Sequence, residues 1–135
     1  MYLLDTDILS NVMRRVPSTA LVAKLASVPP HQRFTSSITL GELVYGASRL
    51  ETRSRELLEK IDQLLLPSPP VLPFDAAAAR RYGELRAGLE RRGTPLAEAD
   101  LRIAAIALDR GLTVVTGNVR HFQRVPGLSV ENWLE

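Results

Sequence analysis

Short apolar runs closed by turn residues alternate along the chain with longer stretches in which apolar positions recur every three or four residues. That alternation predicts an α/β domain on a central, mainly parallel sheet. Tyr2 to Leu4 reads as a first strand ending at Asp5, and Asp7 is placed to cap a helix through Ile8, Leu9, Val12 and Met13 to Arg15. A second helix is expected from Ser18 to Ser27, stopped before Pro29 and Pro30 because proline disfavours helix at the preceding residue. Arg33 to Ser36 reads as the second strand. Leu40, Leu43, Val44 and Ala47 then fall on one helical stripe, with Glu42 off it. A charged helix from about Thr52 to Leu66 carries Leu57, Leu58, Ile61, Leu64 and Leu65 on one side and is expected to pair with its predecessor.

Pro67, Pro69, Pro70 and Pro73 punctuate the next segment, which reads as a stiff connection holding a brief strand at Val71 and Leu72. Asp75 is placed to cap a long helix to about Arg92, ended by Gly93. Thr94-Pro95 is expected to open the next helix, since proline is tolerated at the first helical position. That helix continues through Leu101, Ile103, Ala104, Ala105, Ile106, Ala107 and Leu108, apolar on nearly every face, so it belongs in the middle of the fold. Gly111 ends it. Thr113 to Val115 reads as a buried strand leading to Thr116-Gly-Asn118, a helical turn is expected over Val119 to Gln123, and Leu128 to Val130 as a last strand.

Composition narrows the class. The 135 residues are 45% hydrophobic and 24% charged, which suits one soluble domain. With no cysteine, a disulfide scaffold, a thiolate zinc site and a cysteine nucleophile are excluded. The start lacks a basic, apolar leader pattern, and the longest strictly apolar run, Ile103 to Leu108, falls far short of the roughly 20 residues of a membrane helix. A cytoplasmic protein away from membranes is the expectation.

Polar residues at strand carboxyl ends are the first candidates for chemistry, because ligands of open α/β sheets bind there. Asp5 follows the first strand, Glu42 lies early in the helix after the second, and Asn118 follows the Thr113 to Val115 strand. Asp100 begins the most apolar helix, where a carboxylate costs several kcal/mol unless paired or bound to a cation. Each has a structural alternative. Thr39-Leu-Gly-Glu42 fits a capping box, Asp5 fits a turn, Asp7 a cap, and Glu98 favours its helix dipole. Arg102 is a poor partner for Asp100, since positions two apart do not face each other on a helix.

Independent caps have no reason to converge at strand ends, so a cluster of oxygen ligands is the better reading. Carboxylates with ordinary pKa values of about 4 would repel one another when gathered, and Mg²⁺ or Mn²⁺ resolves that repulsion while leaving positions open for a phosphate. His31 and His121 lie far apart and form no zinc motif. No nucleophile elbow, phosphate loop or dinucleotide fingerprint competes. Metal-dependent phosphodiester hydrolysis fits these acids.

The charge balance agrees with an anionic substrate. The chain is formally +2, but setting aside Asp5, Glu42 and Asp100 leaves 12 acids against 17 bases, of which 15 are arginine. Arg49 and Arg53, spaced as i and i+4, and Arg80, Arg81, Arg91, Arg92, Arg120 and Arg124 are candidate phosphate contacts. The apolar faces at Leu21, Leu25, Leu57 and Ile61 are expected to bury against a partner or a second protomer.

Four blocks, Leu3-Leu-Asp-Thr-Asp-Ile-Leu9, Ser36-Ser-Ile-Thr-Leu-Gly-Glu-Leu-Val-Tyr-Gly46, Gly93-Thr-Pro-Leu-Ala-Glu-Ala-Asp-Leu-Arg-Ile-Ala-Ala-Ile-Ala-Leu108 and Val115-Thr-Gly-Asn-Val-Arg-His-Phe-Gln-Arg-Val-Pro-Gly-Leu128, stand in order along the chain. Together they resemble the PIN-domain ribonucleases, specifically the VapC-type toxins of toxin–antitoxin pairs, over essentially the whole length. The resemblance implies a three-layer α/β/α fold in a single domain and a Mg²⁺- or Mn²⁺-dependent endoribonuclease. It also implies a homodimer or larger toxin–antitoxin assembly and a VapB-like antitoxin inserting a segment near the site. It matches Asp5, Glu42 and Asp100 to the family's three principal acids and Thr6 to a small polar site residue. Asn118 stands where many members carry a fourth acid. An amide still offers an oxygen, so one tightly held metal is implied and a second only with substrate. A PIN-like nuclease of structured DNA, and a non-catalytic RNA-binding protein with a decayed site, are the alternatives these residues leave open.

Overall fold

In the computed structural model, residues 1–65 and 69–135 are described. The predicted proline-rich connection lies partly outside them, at 66–68. Five short parallel strands, β1 (Tyr2–Leu4), β2 (Arg33–Ser36), β3 (Val71–Leu72), β4 (Thr113–Val115) and β5 (Val130–Glu131), form one sheet in the order β3-β2-β1-β4-β5. Every neighbouring pair is parallel. The chain builds the sheet outward from β1 through β2 to β3, then returns to the other side of β1 for β4 and β5. This puts the topological switch point between β1 and β4, and a crevice outside their carboxyl ends.

Alternation along the strands makes the three layers. Leu3 and Val114 point into one core with Ile103, Ala104, Ile106, Ala107, Phe122 and Val125. Leu4 and Val115, one residue on, point into the opposite core with Ile8, Leu9, Leu21, Leu43, Ile61 and Trp133. On the first side lie α5 (Ala76–Arg91), α6 (Glu98–Arg110) and α7 (Val119–Phe122), and on the second α1 (Thr6–Val12), α2 (Thr19–Ser27), α3 (Ser37–Ser48) and α4 (Ser54–Leu65). The α6 segment Ile103–Ala107 is wholly buried, as its unbroken apolar run requires. α3 and α4 pack together as expected.

The helix ends differ from expectation in ways that reach the site. Asp5, not Asp7, is the N-cap of α1, its carboxylate accepting from the Thr6 N–H at 2.7 Å. The helix begins one residue after the strand, which leaves Asp7 inside its first turn. Ser36, not Thr39, caps α3 by accepting from the Thr39 N–H at 3.1 Å, so Glu42 completes no capping box. Thr94-Pro95 opens no helix; α6 starts at Glu98 from an Ala97 cap position that makes no side-chain bond. The last strand lies at Val130–Glu131, slightly beyond the expected Leu128 to Val130. Gly111 ends α6 in the left-handed region, with φ 66°.

Two surface expectations are also corrected. Leu21 and Ile61 are buried in the chain's own second core and so are not free for a partner, while Leu25 and Leu57 pack against that core half-buried. Arg49 is the C-cap of α3, while Arg53 lies beyond the helix with φ 67° and pairs with Glu56, so the two share no helical face.

Candidate active site

The crevice between the ends of β1 and β4 gathers acids from separate elements. Asp5 ends β1, and its N–H donates to Val115 C=O at 2.9 Å, so its backbone is held by the neighbouring strand. Its side chain is 4% exposed. One carboxylate oxygen accepts from the Thr6 N–H, and the other accepts from the Thr116 hydroxyl at 2.8 Å. Burial, and secondarily the negative charge of Asp7, push the Asp5 carboxyl up to about 7 despite those two hydrogen bonds. Asp100 adds a smaller upward push from the first turn of α6.

Asp100 is itself raised, by burial first and then by Glu42 and Asp7, with His121 acting in the opposite direction. No hydrogen bond or ion pair to its carboxylate is found among the described residues. Arg102, two residues on, instead meets Glu98 at 3.3 Å. Glu42 lies on the exposed face of α3, where the Thr6 hydroxyl donates to its Oε1 at 2.5 Å. That hydroxyl also stands 3.2 Å from Thr39 Oγ1, and Thr39 and Ser36 are fully buried. The polar start of α3 therefore orients Glu42 through Thr6.

The loop after β4 closes the site. Thr116 Oγ1, bonded to Asp5, also accepts from the Asn118 N–H at 2.9 Å. Asn118 occupies the cap position of α7 without making a side-chain cap bond, and the residue is exposed. Sequence reasoning assigned Asp5, Thr6, Glu42, Asp100 and Asn118 to one place, and the elements carrying them do meet around this crevice.

It missed three residues. Thr116 was noted only for its place after the strand. His121, dismissed for its distance in sequence from His31, acts electrostatically on Asp100. Asp7, read as a cap, instead accepts from the Gly117 N–H at 2.8 Å and acts on both Asp5 and Asp100. The Asp-Thr-Asp spacing was the available signal: the residue two beyond a strand-end acid lies one helical turn's start away from it.

These side chains fit a hard cation by chemistry and charge. All their ligating atoms are oxygen, Asp5 and Asp100 are each pushed toward protonation by burial and by neighbouring acids, and Asp7 Oδ1 is buried without a partner among the described residues. Among the described residues no group of three His, Asp or Glu side chains is already drawn together as a metal cage. Mutually repelling carboxylates have no reason to converge further until positive charge lies between them.

A family model described as "PIN domain" matches residues 2–128. The tRNA(fMet)-specific endonuclease VapC of Shigella flexneri is 37% identical over 132 residues, covering 98% of this chain and 97% of that protein. Toxin FitB of Neisseria gonorrhoeae is 35% identical over 126 residues, covering 90% of this chain and 91% of its own. Among solved structures, VapBC2 of Rickettsia felis, bound to a DNA fragment from its promoter, contains a chain with TM-score 0.83 and 32% identity, covering 98% of both. FitAcB of Neisseria gonorrhoeae contains one with TM-score 0.85, 32% identity and 98% coverage of both.

Proposed function

The chain belongs to the PIN-domain family, and from that membership we propose that it is a VapC-type endoribonuclease toxin that hydrolyses RNA phosphodiester bonds with Mg²⁺ or Mn²⁺. The observation that carries this reading is the meeting of Asp5, Glu42 and Asp100 from three elements at the sheet's switch point, with no lysine or arginine ion pair to Asp5 or Asp100 among the described residues.

Asp5 and Asp100 would hold the cation directly, and Glu42 directly or through a water. When bound, the cation supplies positive charge against the phosphodiester and a more acidic water. The chain's own groups do the rest. Thr116 and the Thr6 N–H fix both oxygens of Asp5, so its carboxylate cannot rotate away from the crevice. Thr6 fixes Glu42, whose role in this reading is to help orient the attacking water. In this reading Asn118 adds a neutral oxygen and amide donors, and Arg120 and Arg124, both exposed and a few residues further on, are candidate phosphate contacts.

The related structures named above are toxin–antitoxin complexes, which supports a VapB-type antitoxin as partner. A homodimer is part of the same reading. Among the described residues no helix is long and apolar enough to cross a membrane.

The test is cleavage of total cellular RNA by antitoxin-free protein, with Mg²⁺ or Mn²⁺ against EDTA, beside a structured DNA and the Asp5→Ala variant. Discrete RNA fragments that need metal and Asp5 are expected, and the name of the Shigella flexneri relative makes tRNA the first fraction to examine. Cleavage of DNA alone, or RNA cleavage that survives Asp5→Ala, would overturn the reading.

A further inference from the structure

Asp7 lies beside the principal acids and raises both Asp5 and Asp100 by its charge. Its carboxylate spans two elements: it rides in the first turn of α1, and its Oδ2 accepts the Gly117 N–H at 2.8 Å from the loop after β4. This is a charge-assisted bond between segments 110 residues apart in sequence. The loop it holds is short and carries the site on both sides. Thr116, just before, donates to Asp5, and Asn118, just after, donates its own N–H to the same Thr116 hydroxyl at 2.9 Å.

Gly117 is fitted to this contact. A Cβ built there would stand 2.7 Å from Asp7 Oδ2 and 3.0 Å from Leu134 Cδ1. The first of these is closer than real Cβ atoms come, so any side chain would push the loop off Asp7 or displace the carboxylate. Glycine lets the loop and the Asp7 carboxylate approach this closely, with the Leu134 side chain as a second wall. Leu134 is itself tied back, its N–H donating to Asn132 Oδ1 at 2.8 Å.

We propose that Asp7 is a positioning residue for the reaction: by clamping the Gly117 N–H it sets the Thr116–Asn118 loop against α1, and so fixes both the hydroxyl that orients Asp5 and the amide that borders the substrate. The role rests on the nuclease reading, but the clamp itself does not. A carboxylate in this place also costs something, since it adds negative charge beside Asp5 and Asp100, and a cap or a turn could have used a neutral residue. An amide at position 7 would keep an acceptor for Gly117 without the charge. That difference separates clamping from a charge effect.

The experiment compares Asp7→Ala, Asp7→Asn, Gly117→Ala and the Asp7→Ala/Gly117→Ala double variant in full-length protein. Amide hydrogen exchange at Gly117 is measured without metal, and kcat and KM for RNA cleavage are measured with Mn²⁺. Asp7→Ala is expected to lower Gly117 protection about tenfold and kcat about 10- to 100-fold, with KM changed by less than about threefold. Asp7→Asn should restore most of both. Gly117→Ala should resemble Asp7→Ala in kcat, and the double variant should be no worse than either single one, because each breaks the same contact. Unchanged Gly117 protection in Asp7→Ala, multiplicative losses in the double variant, or an Asp7→Asn that keeps protection yet loses kcat as fully as Asp7→Ala would each overturn the proposal. Wild-type protein that protects Gly117 through Asp7 but cleaves no RNA would sink the nuclease reading and leave the clamp in place.

Discussion

Glu98 and Asp100 stand two residues apart in the first turn of α6 and live in opposite electrostatic worlds. Glu98 accepts from the Tyr82 hydroxyl at 2.6 Å and meets Arg86 at 3.1 Å and Arg102 at 3.3 Å, all exposed. Its pKa is lowered, chiefly by the tyrosine bond. Asp100 faces the crevice, where burial and Glu42 raise it. Two positions on a helix are about 200° apart, so the same turn sends one carboxylate out among cations and the other in among acids. The lesson is that a helix start favourable to negative charge does not by itself decide what an acid is for. Glu98 is satisfied by the protein, whereas Asp100 has no such partner among the described residues, and in the proposed reading a bound cation supplies it.

The largest effect that could break this contrast is on catalysis. Asp100→Asn keeps the volume and removes a ligand charge, and RNA cleavage is expected to fall about 100-fold or more with the melting temperature unchanged or raised. Wild-type cleavage by this variant at saturating Mg²⁺ would show that Asp100 is an ordinary buried acid.

The next effect is on stability. The Asp5 carboxyl sits at about 7 in the fold against 3.8 ordinarily, so the folded state keeps a proton that the unfolded chain releases. Between about pH 4 and 7 the unfolded state binds fewer protons, and metal-free protein therefore loses stability as pH rises through that window. The loss is complete above the folded value and absent below the unfolded one. Asp5→Asn removes it, so in EDTA the variant should gain a few kcal/mol over wild type above pH 7 and nothing near pH 4, read by chemical denaturation at each pH. A gain independent of pH would mean that Asp5 is not held near neutrality.

The smallest effect belongs to the paired acid. Glu98→Gln disturbs only an exposed ring of partners, and its melting temperature should move by no more than about 2 °C with cleavage unaltered. A marked loss of cleavage would erase the distinction between the two carboxylates.

Much of this was legible in the chain. The β1, β2 and β4 strands, the buried α6 run and the placing of Asp5, Glu42 and Asp100 follow from periodicity and from the habit of α/β sheets to bind ligands at strand ends. What was not legible depends on contacts between distant segments. Ser36 and Thr39 both suit a cap; Ser36 takes it, and Thr39 is left to meet Thr6. Asp7 has the local chemistry of a cap, but Asp5 ends its strand already in extended geometry and caps α1 first, freeing Asp7 for Gly117. Pro95 has the fixed backbone angle of a first helical residue, yet the helix waits until Glu98, where Tyr82, Arg86 and Arg102 converge.

The central claim, that the crevice acids and not the paired ones await a cation, is tested most directly by calorimetric titration of Mn²⁺ into metal-free protein near pH 7, in buffers of different ionisation enthalpy. Wild type and Glu98→Gln are predicted to bind alike and to release protons as Asp5 ionises, while Asp100→Asn binds weakly or not at all. Equal binding by Asp100→Asn and wild type would contradict the account.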